Sequence, residues 1–314
     1  MKSCRLFAPV AVLLLLLLSC SLALADIVPI PMDREVMDPI NDSYYVSDRE
    51  YEDPSIHVTI EEGEYLDTPY LVARIRIADP SQLRAYCTGK SLATGLEYAD
   101  KISKQINAVF ALSGDALSMK ETDWSTKKGK FVMRMGKLWY PAADKVESMR
   151  WKETYDYLII DEHSDLHVIE NATKDTVLGF EGEIVSTYVF GPALVVDGKK
   201  MEGLGSRKGY GVNYGAKKKT QRICFGQTGP LEYICVVCAG PEQRRLDGKT
   251  KSRGLTIEEF TDLVYSQGDV QVAYNLDGGA SSHMVFQNQW INAYGKTAKN
   301  ALGDVIYFAS AWQE

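Results

Sequence analysis

Cysteine, histidine and basic charge are all scarce in this chain. Its 314 residues hold 6 Cys and 4 His, and 35 Lys+Arg stand against 42 Asp+Glu, a net charge of −7. Neutralising phosphates along a polymer needs a surplus of Lys and Arg on one face, so this balance argues against a nucleic-acid binder. So few cysteines are no disulfide scaffold at this length. The histidines lie far apart, and no Walker A, HExxH or nucleophile-elbow motif occurs, which leaves little for a Ser-His-Asp hydrolase. No internal repeat or low-complexity tract appears. What is present, 45% hydrophobic and 25% charged residues, is a globular composition long enough for a proper core.

The N-terminus carries a targeting pattern. Lys2 and Arg5 precede an uncharged, apolar stretch over 6–18, and Ala23-Leu24-Ala25 supplies the small-x-small site of a signal peptidase. The stretch is shorter than the roughly 20 residues that span a bilayer. Residues 1–25 are therefore expected to be a signal peptide, with Asp26 as the mature start, no transmembrane segment in the mature chain, and a secreted or extracytoplasmic location. The alternative is a lipoprotein signal, Leu17-Leu18-Ser19-Cys20, anchoring the chain at Cys20. Residues 26–54, polar and acidic without sustained periodicity, read as a linker or mobile arm. Residues 55–314 read as one folded domain.

Alternating patterns predict strands over 56–60 and 70–77, and a short helix over 97–105 feeds a strand at 108–112. Residues 157–160 and 166–169 flank the turn His163-Ser164-Asp165 as a hairpin; the Asp161, Glu162, His163, Asp165 and His167 group crowds its tip and reads as a solvated turn, not a metal site. Strands over 187–190 and 193–196 surround Gly191-Pro192. A helix over 256–267 is capped by Thr256 and Glu259, shows the apolar stripe Ile257, Phe260, Leu263, Val264, and ends at Gly268. Strands follow at 270–276, 283–287 and 305–308. Strands outnumber helices and no βαβ rhythm repeats, so the fold class is α+β: mostly antiparallel or mixed sheet with a few packed helices, in a single domain. Cys235-Val236-Val237-Cys238 lies in a buried strand without a second pair or nearby His, which argues against zinc. A turn at Thr228-Gly229-Pro230 would set Cys224 opposite Cys235, as a cross-strand bridge or as two buried thiols, burial favouring the thiols.

The sharpest chemical feature is the run from Tyr274 to Met284: Tyr-Asn-Leu-Asp-Gly-Gly-Ala-Ser-Ser-His-Met. A strand end delivers Asn275 and Asp277, alternate residues, to one face. Gly278 and Gly279 let the backbone turn and approach a ligand, and Ser281 and Ser282 offer hydroxyls beside exposed amides. The plain alternative is a hairpin loop with an Asp-Gly turn.

That run, preceded by the helix opened by Gly254-Leu255-Thr256, resembles the signature of the phosphodiester glycosidase family. The resemblance continues in Gln221-Arg222-Ile223-Cys224-Phe225-Gly226, in Phe190-Gly191-Pro192 through Gly198, and in Ala111-Leu112-Ser113-Gly114-Asp115, and it spans residues 56–308. Two departures stand out: Ser113 where relatives usually have Asn, and Ala280 in place of a third loop glycine, which would be disfavoured if that position needs a positive φ. Near the end, Ala298-Lys299-Asn300 replaces a region where relatives often carry Arg.

The resemblance implies hydrolysis of a sugar-1-phosphodiester at the anomeric carbon, through an oxocarbenium-like transition state needing a nearby carboxylate. On that basis Asp277 and Asp115 are the expected catalytic carboxylates. Arg222 is the expected phosphate partner, and Asn275, Gly278, Gly279, Ser281, Ser282 and Ser113 the expected substrate-binding residues. No cofactor or metal is predicted. The expected partner is a carbohydrate or sugar-phosphate polymer of an envelope or extracellular polysaccharide. The rival is a non-catalytic glycan-binding envelope protein that keeps the fold. His283, beside the loop, reads as packed rather than as an acid.

Overall fold

The computed structural model describes residues 26–89, 95–115, 131–149, 151, 154–207, 215–295 and 297–314. The expected signal peptide and the Cys20 anchor lie outside them.

Two antiparallel sheets face each other across the main core. In the larger, nine strands run in the order Lys199–Lys200, Ala193–Val196, Val272–Asn275, Arg222–Gly229, Glu232–Cys238, Thr68–Ile77, Ile56–Tyr65, Glu50–Asp53, Tyr45–Ser47. The smaller has five: Gln289–Trp290, Met284–Phe286, Phe110–Ser113, Asp304–Phe308, Leu83–Cys87. Period-2 patterning decides which faces meet. Ile56, Val58, Ile60, Ile223 and Phe225 of one sheet pack on Phe110, Leu112, Met284, Ile306 and Phe308 of the other. On the outer face of the large sheet, Cys224, Val236 and Ala273 meet Ile257, Phe260, Leu263 and Val264 of helix Ile257–Tyr265. On the outer face of the small sheet, Ala111, Val285 and Tyr307 meet Ile102 and Ile106 of helix Ala99–Ile106. The result is four layers, helix–sheet–sheet–helix. A third sheet, Leu166–Ala172, Tyr155–Asp161, Ile184–Tyr188, adds Leu158, Ile160 and Tyr188 to the same core. The α+β expectation holds, and no helix among the described residues is long and apolar enough to cross a membrane.

The predicted capping box is present: Thr256 accepts from the Glu259 amide and Glu259 accepts from the Thr256 amide. Gly268, at φ +77°, follows the helix.

Two expectations are corrected. Residues 26–54 are packed onto the body rather than forming a linker. Asp26–Ile27 pairs with Trp312–Gln313, and Glu50–Asp53 pairs with Ile56–Tyr65. Ile30, Met37 and Tyr51 are buried. The polar backbone of this segment is satisfied by protein instead of water: the buried Arg84 guanidinium donates to the carbonyls of Pro31, Met32 and Arg34 at 2.9, 3.1 and 2.7 Å. The expected hairpin of Arg222–Gly229 with Glu232–Cys238 forms, but Cys224 lies opposite Val236 and Cys235 opposite Phe225. A one-residue offset sends the two side chains to opposite faces. Cys224 enters the helix-side cluster, Cys235 the inter-sheet core, and both are free thiols.

Candidate active site

The site sits where strands of both central sheets end together. Phe110–Ser113 leads into Gly114-Asp115, and Val272–Asn275 leads into Leu276-Asp277-Gly278. The Asp277 amide donates to the Gly114 carbonyl at 3.3 Å, and the Leu276 and Gly279 amides donate to the carbonyls of Ile223 (3.0 Å) and Gln221 (2.9 Å). Gly278 runs so close to the Arg222–Gly229 strand that a Cβ on it would lie 3.1 Å from the Gln221 carbonyl oxygen. Gly279 takes φ +62° and opens a 3-10 turn, Gly279–Ser281. Ala280 lies within that turn without a positive φ, so the missing third glycine costs the backbone nothing.

Three carboxylates converge here. Asp277 is partly exposed, while Asp115 and Asp304 are buried. Arg134, also buried, is placed against both inner acids: its Nη2 lies 2.7 Å from Asp304 Oδ2 and 3.6 Å from Asp115 Oδ2, and its Nε donates to Asp304 Oδ2 at 2.8 Å. Its Nη1 donates to the Met133 carbonyl (2.8 Å) and to that of Thr187, and its guanidinium lies 4.0 Å from the centre of the Tyr188 ring. Burial alone would lower the pKa of Arg134, but Asp304, Tyr188 and Asp115 hold it above its ordinary value. Asp115 Oδ2 also accepts from the Val189 amide at 2.9 Å. The Asp304 carboxylate fills the space beside Gly114, where a Cβ would come within 2.6 Å of it.

The electrostatics distinguish the acids. Asp277 is pushed up to about 7, first by burial and then by the charges of Asp115 and Asp304, against a lowering hydrogen bond from Ser281. Asp304 rises to about 6, again chiefly by burial, with Arg134 opposing and Asp115 assisting. A carboxyl that changes charge near neutral pH at a partly open strand end is equipped for proton transfer.

Residues 106–309 match the family model described as phosphodiester glycosidase. The chain belongs to the phosphodiester glycosidase family. Among solved structures it is similar to the catalytic domain of zebrafish N-acetylglucosamine-1-phosphodiester alpha-N-acetylglucosaminidase, auto-inhibited by its pro-peptide, at 16% identity, TM-score 0.56, covering 82% of this chain and 84% of that one. A hypothetical protein from Synechocystis matches at 11% identity, TM-score 0.48, over 81% of this chain and 62% of that one. No curated protein matches the sequence. At these identities the structural likeness speaks for the fold.

Within this phosphodiester glycosidase fold, the residues singled out from the sequence divide into groups. Asp277 and the Gly278-Gly279 backbone form the partly exposed part, while Ser281 and Asp115 are buried. Asn275 is buried, with Nδ2 donating to the Gly191 carbonyl at 2.8 Å and Oδ1 without a partner. The Ser282 hydroxyl is likewise buried and unpartnered. Ser113 is inside the sheet: its amide donates to the His283 carbonyl (3.0 Å) and its Oγ accepts from the His283 amide (3.3 Å), so it joins the two loops. His283 is packed: Nε2 donates to the Ala280 carbonyl at 3.0 Å, and burial pushes the ring down to about 4.

Arg222 differs from the expectation. It points to the helix side of the large sheet, with Nε donating to the Leu255 carbonyl (2.9 Å) and Nη2 to those of Gly215 (2.7 Å) and Lys218 (2.8 Å). Burial lowers it to about 10, and the charges acting on it are Cys238 and Glu259, not the acids of the site. Alternation explains this: its neighbour Gln221 faces the loop, donating from Nε2 to the Ser282 carbonyl at 3.0 Å.

Sequence reasoning missed Arg134 and Asp304. Each is a charge at the end of an otherwise apolar strand, Phe131-Val132-Met133-Arg134 and Asp304-Val305-Ile306. Buried charges need partners, which was the available signal. Among the described residues, the group close enough to hold a metal is Glu50, Glu52 and His57, on adjacent strands away from these acids. Asp161, in the acidic hairpin, accepts from the His163 and Asp165 amides at 2.9 Å each and closes a turn.

Proposed function

We propose that the protein is an extracytoplasmic hydrolase that cleaves a sugar-1-phosphodiester linkage in an envelope or extracellular polysaccharide, with Asp277 as the group that meets the reacting centre. One observation carries this reading: Asp277 is the partly exposed member of three converging carboxylates, and burial and the neighbouring acids push its pKa up to about 7. Asp277 takes a proton from water as the water oxygen bonds to the anomeric carbon. The bond from that carbon to the phosphate oxygen breaks, and the products are a free sugar and a phosphomonoester. The phosphate needs little protonation to leave but does need a cation. Lys299 is assigned that part. It adjoins Asn300, which hydrogen-bonds the loop, and its Nζ is paired with Asp100 at 2.6 Å, with the side chain 24% exposed, so a phosphate would have to compete with that carboxylate. Asp115, buried behind Asp277, acts on it through charge.

The departures that would favour the non-catalytic rival are Ser113 and Ala280. Both departures are absorbed, Ser113 by the His283 backbone and Ala280 by an ordinary turn conformation. The test is incubation with a panel of sugar-1-phosphodiesters, with assay of both products. Free sugar plus phosphomonoester supports the reading. Release of sugar-1-phosphate means cleavage on the other side of phosphorus, and no release with retained glycan binding favours the rival.

A further inference from the structure

Parts of residues 28–44 and 310–314 line a cavity of about 620 Å³, within the size range of small-molecule sites. The first segment is held there by the pairing of Asp26–Ile27 with Trp312–Gln313 and by the Val28 amide, which donates to the Ala311 carbonyl at 2.8 Å. The cavity is remote from the acids of the active site. Phe110–Ser113 and Asp304–Phe308 are adjacent antiparallel strands. Asp115 and Asp304 stand at one end of that pair, while Asn107 and Trp312, which line the cavity, lie beyond the other end. At about 3.3 Å per residue the two places are roughly 15 Å apart.

The lining joins aromatic surface to fixed polar groups. Trp312 and Tyr44 are both half-buried. Trp312 Nε1 donates to the Tyr44 hydroxyl at 2.9 Å, and that hydroxyl donates to Glu314 Oε1 at 2.9 Å. Asn41 Nδ2 donates to the same oxygen at 2.9 Å. With its N–H spent, the indole has apolar surface left to offer a ligand. Glu314 keeps Oε2, which no donor reaches among the described residues. Asn107 spends Nδ2 on the Met37 carbonyl at 2.8 Å and keeps Oδ1 on the cavity wall. The charged residues of the lining are Arg34, Asp38 and Glu314. Arg34 and Asp38 pair at 2.5 Å, which leaves the negative charge of Glu314.

We propose that this cavity is a glycan site separate from the catalytic cleft, and that it takes a neutral oligosaccharide. A pyranose ring presents C–H faces to aromatic surface and hydroxyls around its edge to carboxylate and amide oxygens, the two kinds of group gathered here. A lipid tail would strip water from Glu314 and Asn107 without replacing it. A phosphate or uronate would meet the Glu314 charge with the neighbouring cation already paired. The segment that read as a loose arm thus supplies one wall of a binding site. The proposal goes beyond the hydrolase reading and does not depend on it.

The experiment measures binding to the purified protein by calorimetry and tryptophan fluorescence. The probes are maltohexaose, cellohexaose, mannohexaose and chitohexaose, with an oligogalacturonate as the anionic counterpart. At least one neutral probe should saturate the protein at millimolar concentration or below, and the oligogalacturonate should not. Trp312→Ala should weaken that binding at least about tenfold, and so should Glu314→Ala, through loss of a hydrogen bond to a charged group. Glu314 is exposed, so its substitution serves if Trp312→Ala does not fold. No binding by any neutral probe, binding that both substitutions leave unchanged, or equally tight binding of the oligogalacturonate overturns the proposal. Binding needs no turnover, so failure here is distinguished from failure of the glycosidase reading.

Discussion

The amide of Asp277 donates to the carbonyl of Gly114 at 3.3 Å, which joins the two strand ends that Asp277 and Asp115 follow. Gly114 serves a second purpose, because the Asp304 carboxylate occupies the space a side chain would need. Gly114→Ala should therefore push Asp304 off Arg134. The expected outcome is a loss of about 1–3 kcal/mol in stability, as for other overpacked sites. Denaturant unfolding measures it, and an unchanged midpoint contradicts the packing described.

Removing the central cation should be harsher. Arg134→Met leaves Asp115 and Asp304 buried without their shared guanidinium, and stranded buried charges commonly cost about 3–5 kcal/mol. Adding Asp304→Asn to Arg134→Met should recover part of that loss. If the double variant is no more stable than Arg134→Met, the pairing is not what holds the site together.

Asp277 should trade stability for chemistry. Its carboxyl is raised from 3.8 to about 7 in the folded state. Between those values the folded protein keeps a proton that the unfolded chain has released, so the contribution of this group to stability falls as pH rises through that window and is level above it. Asp277→Asn removes the effect. The variant should be more stable than wild type at pH 8, by an upper limit of about 4 kcal/mol that solvent at the exposed edge reduces, and the gap should shrink toward pH 4. Thermal melts at the two pH values check the sign.

The roles assigned to Lys299 and Arg222 separate kinetically. Lys299→Gln should raise KM about tenfold or more for a phosphodiester, as loss of a charge-assisted contact does, and leave an uncharged aryl glycoside unaffected. Arg222→Gln should cost stability through lost carbonyl contacts while KM of the folded enzyme stays put. An Arg222 variant with weakened phosphodiester binding and intact stability would restore the sequence-based assignment.

What was legible in the sequence was local. A strand ending in Asn275-Leu276-Asp277-Gly278-Gly279, and another ending in Ser113-Gly114-Asp115, announce turns and acids from neighbouring residues alone. So do the Thr256–Glu259 cap and the apolar stripe behind it. Arg134 and Asp304 stand 170 residues apart in the chain, and no periodicity in either strand reveals that one neutralises the other. Arg222 failed for a related reason: a motif names a residue, but the face on which its side chain leaves the sheet depends on register. The cysteine hairpin shows the same limit, since a single-residue offset decides whether two thiols meet. The 26–54 segment looked detached because the apolar residues it buries, Ile30, Met37 and Tyr51, follow no repeat, and the arginine that satisfies its carbonyls lies in a distant strand.

The most direct test of the central claim is the pH dependence of kcat/KM for sugar release from a sugar-1-phosphodiester, in wild type and Asp277→Asn. With Asp277 as the base, the wild-type value should rise tenfold per pH unit up to a midpoint near 7 and level off above it. Asp277→Asn should fall by roughly 10²–10⁴-fold and lose that limb. A wild-type profile flat from pH 5 to 9, or an Asp277→Asn variant with the same limb and rate, would contradict it.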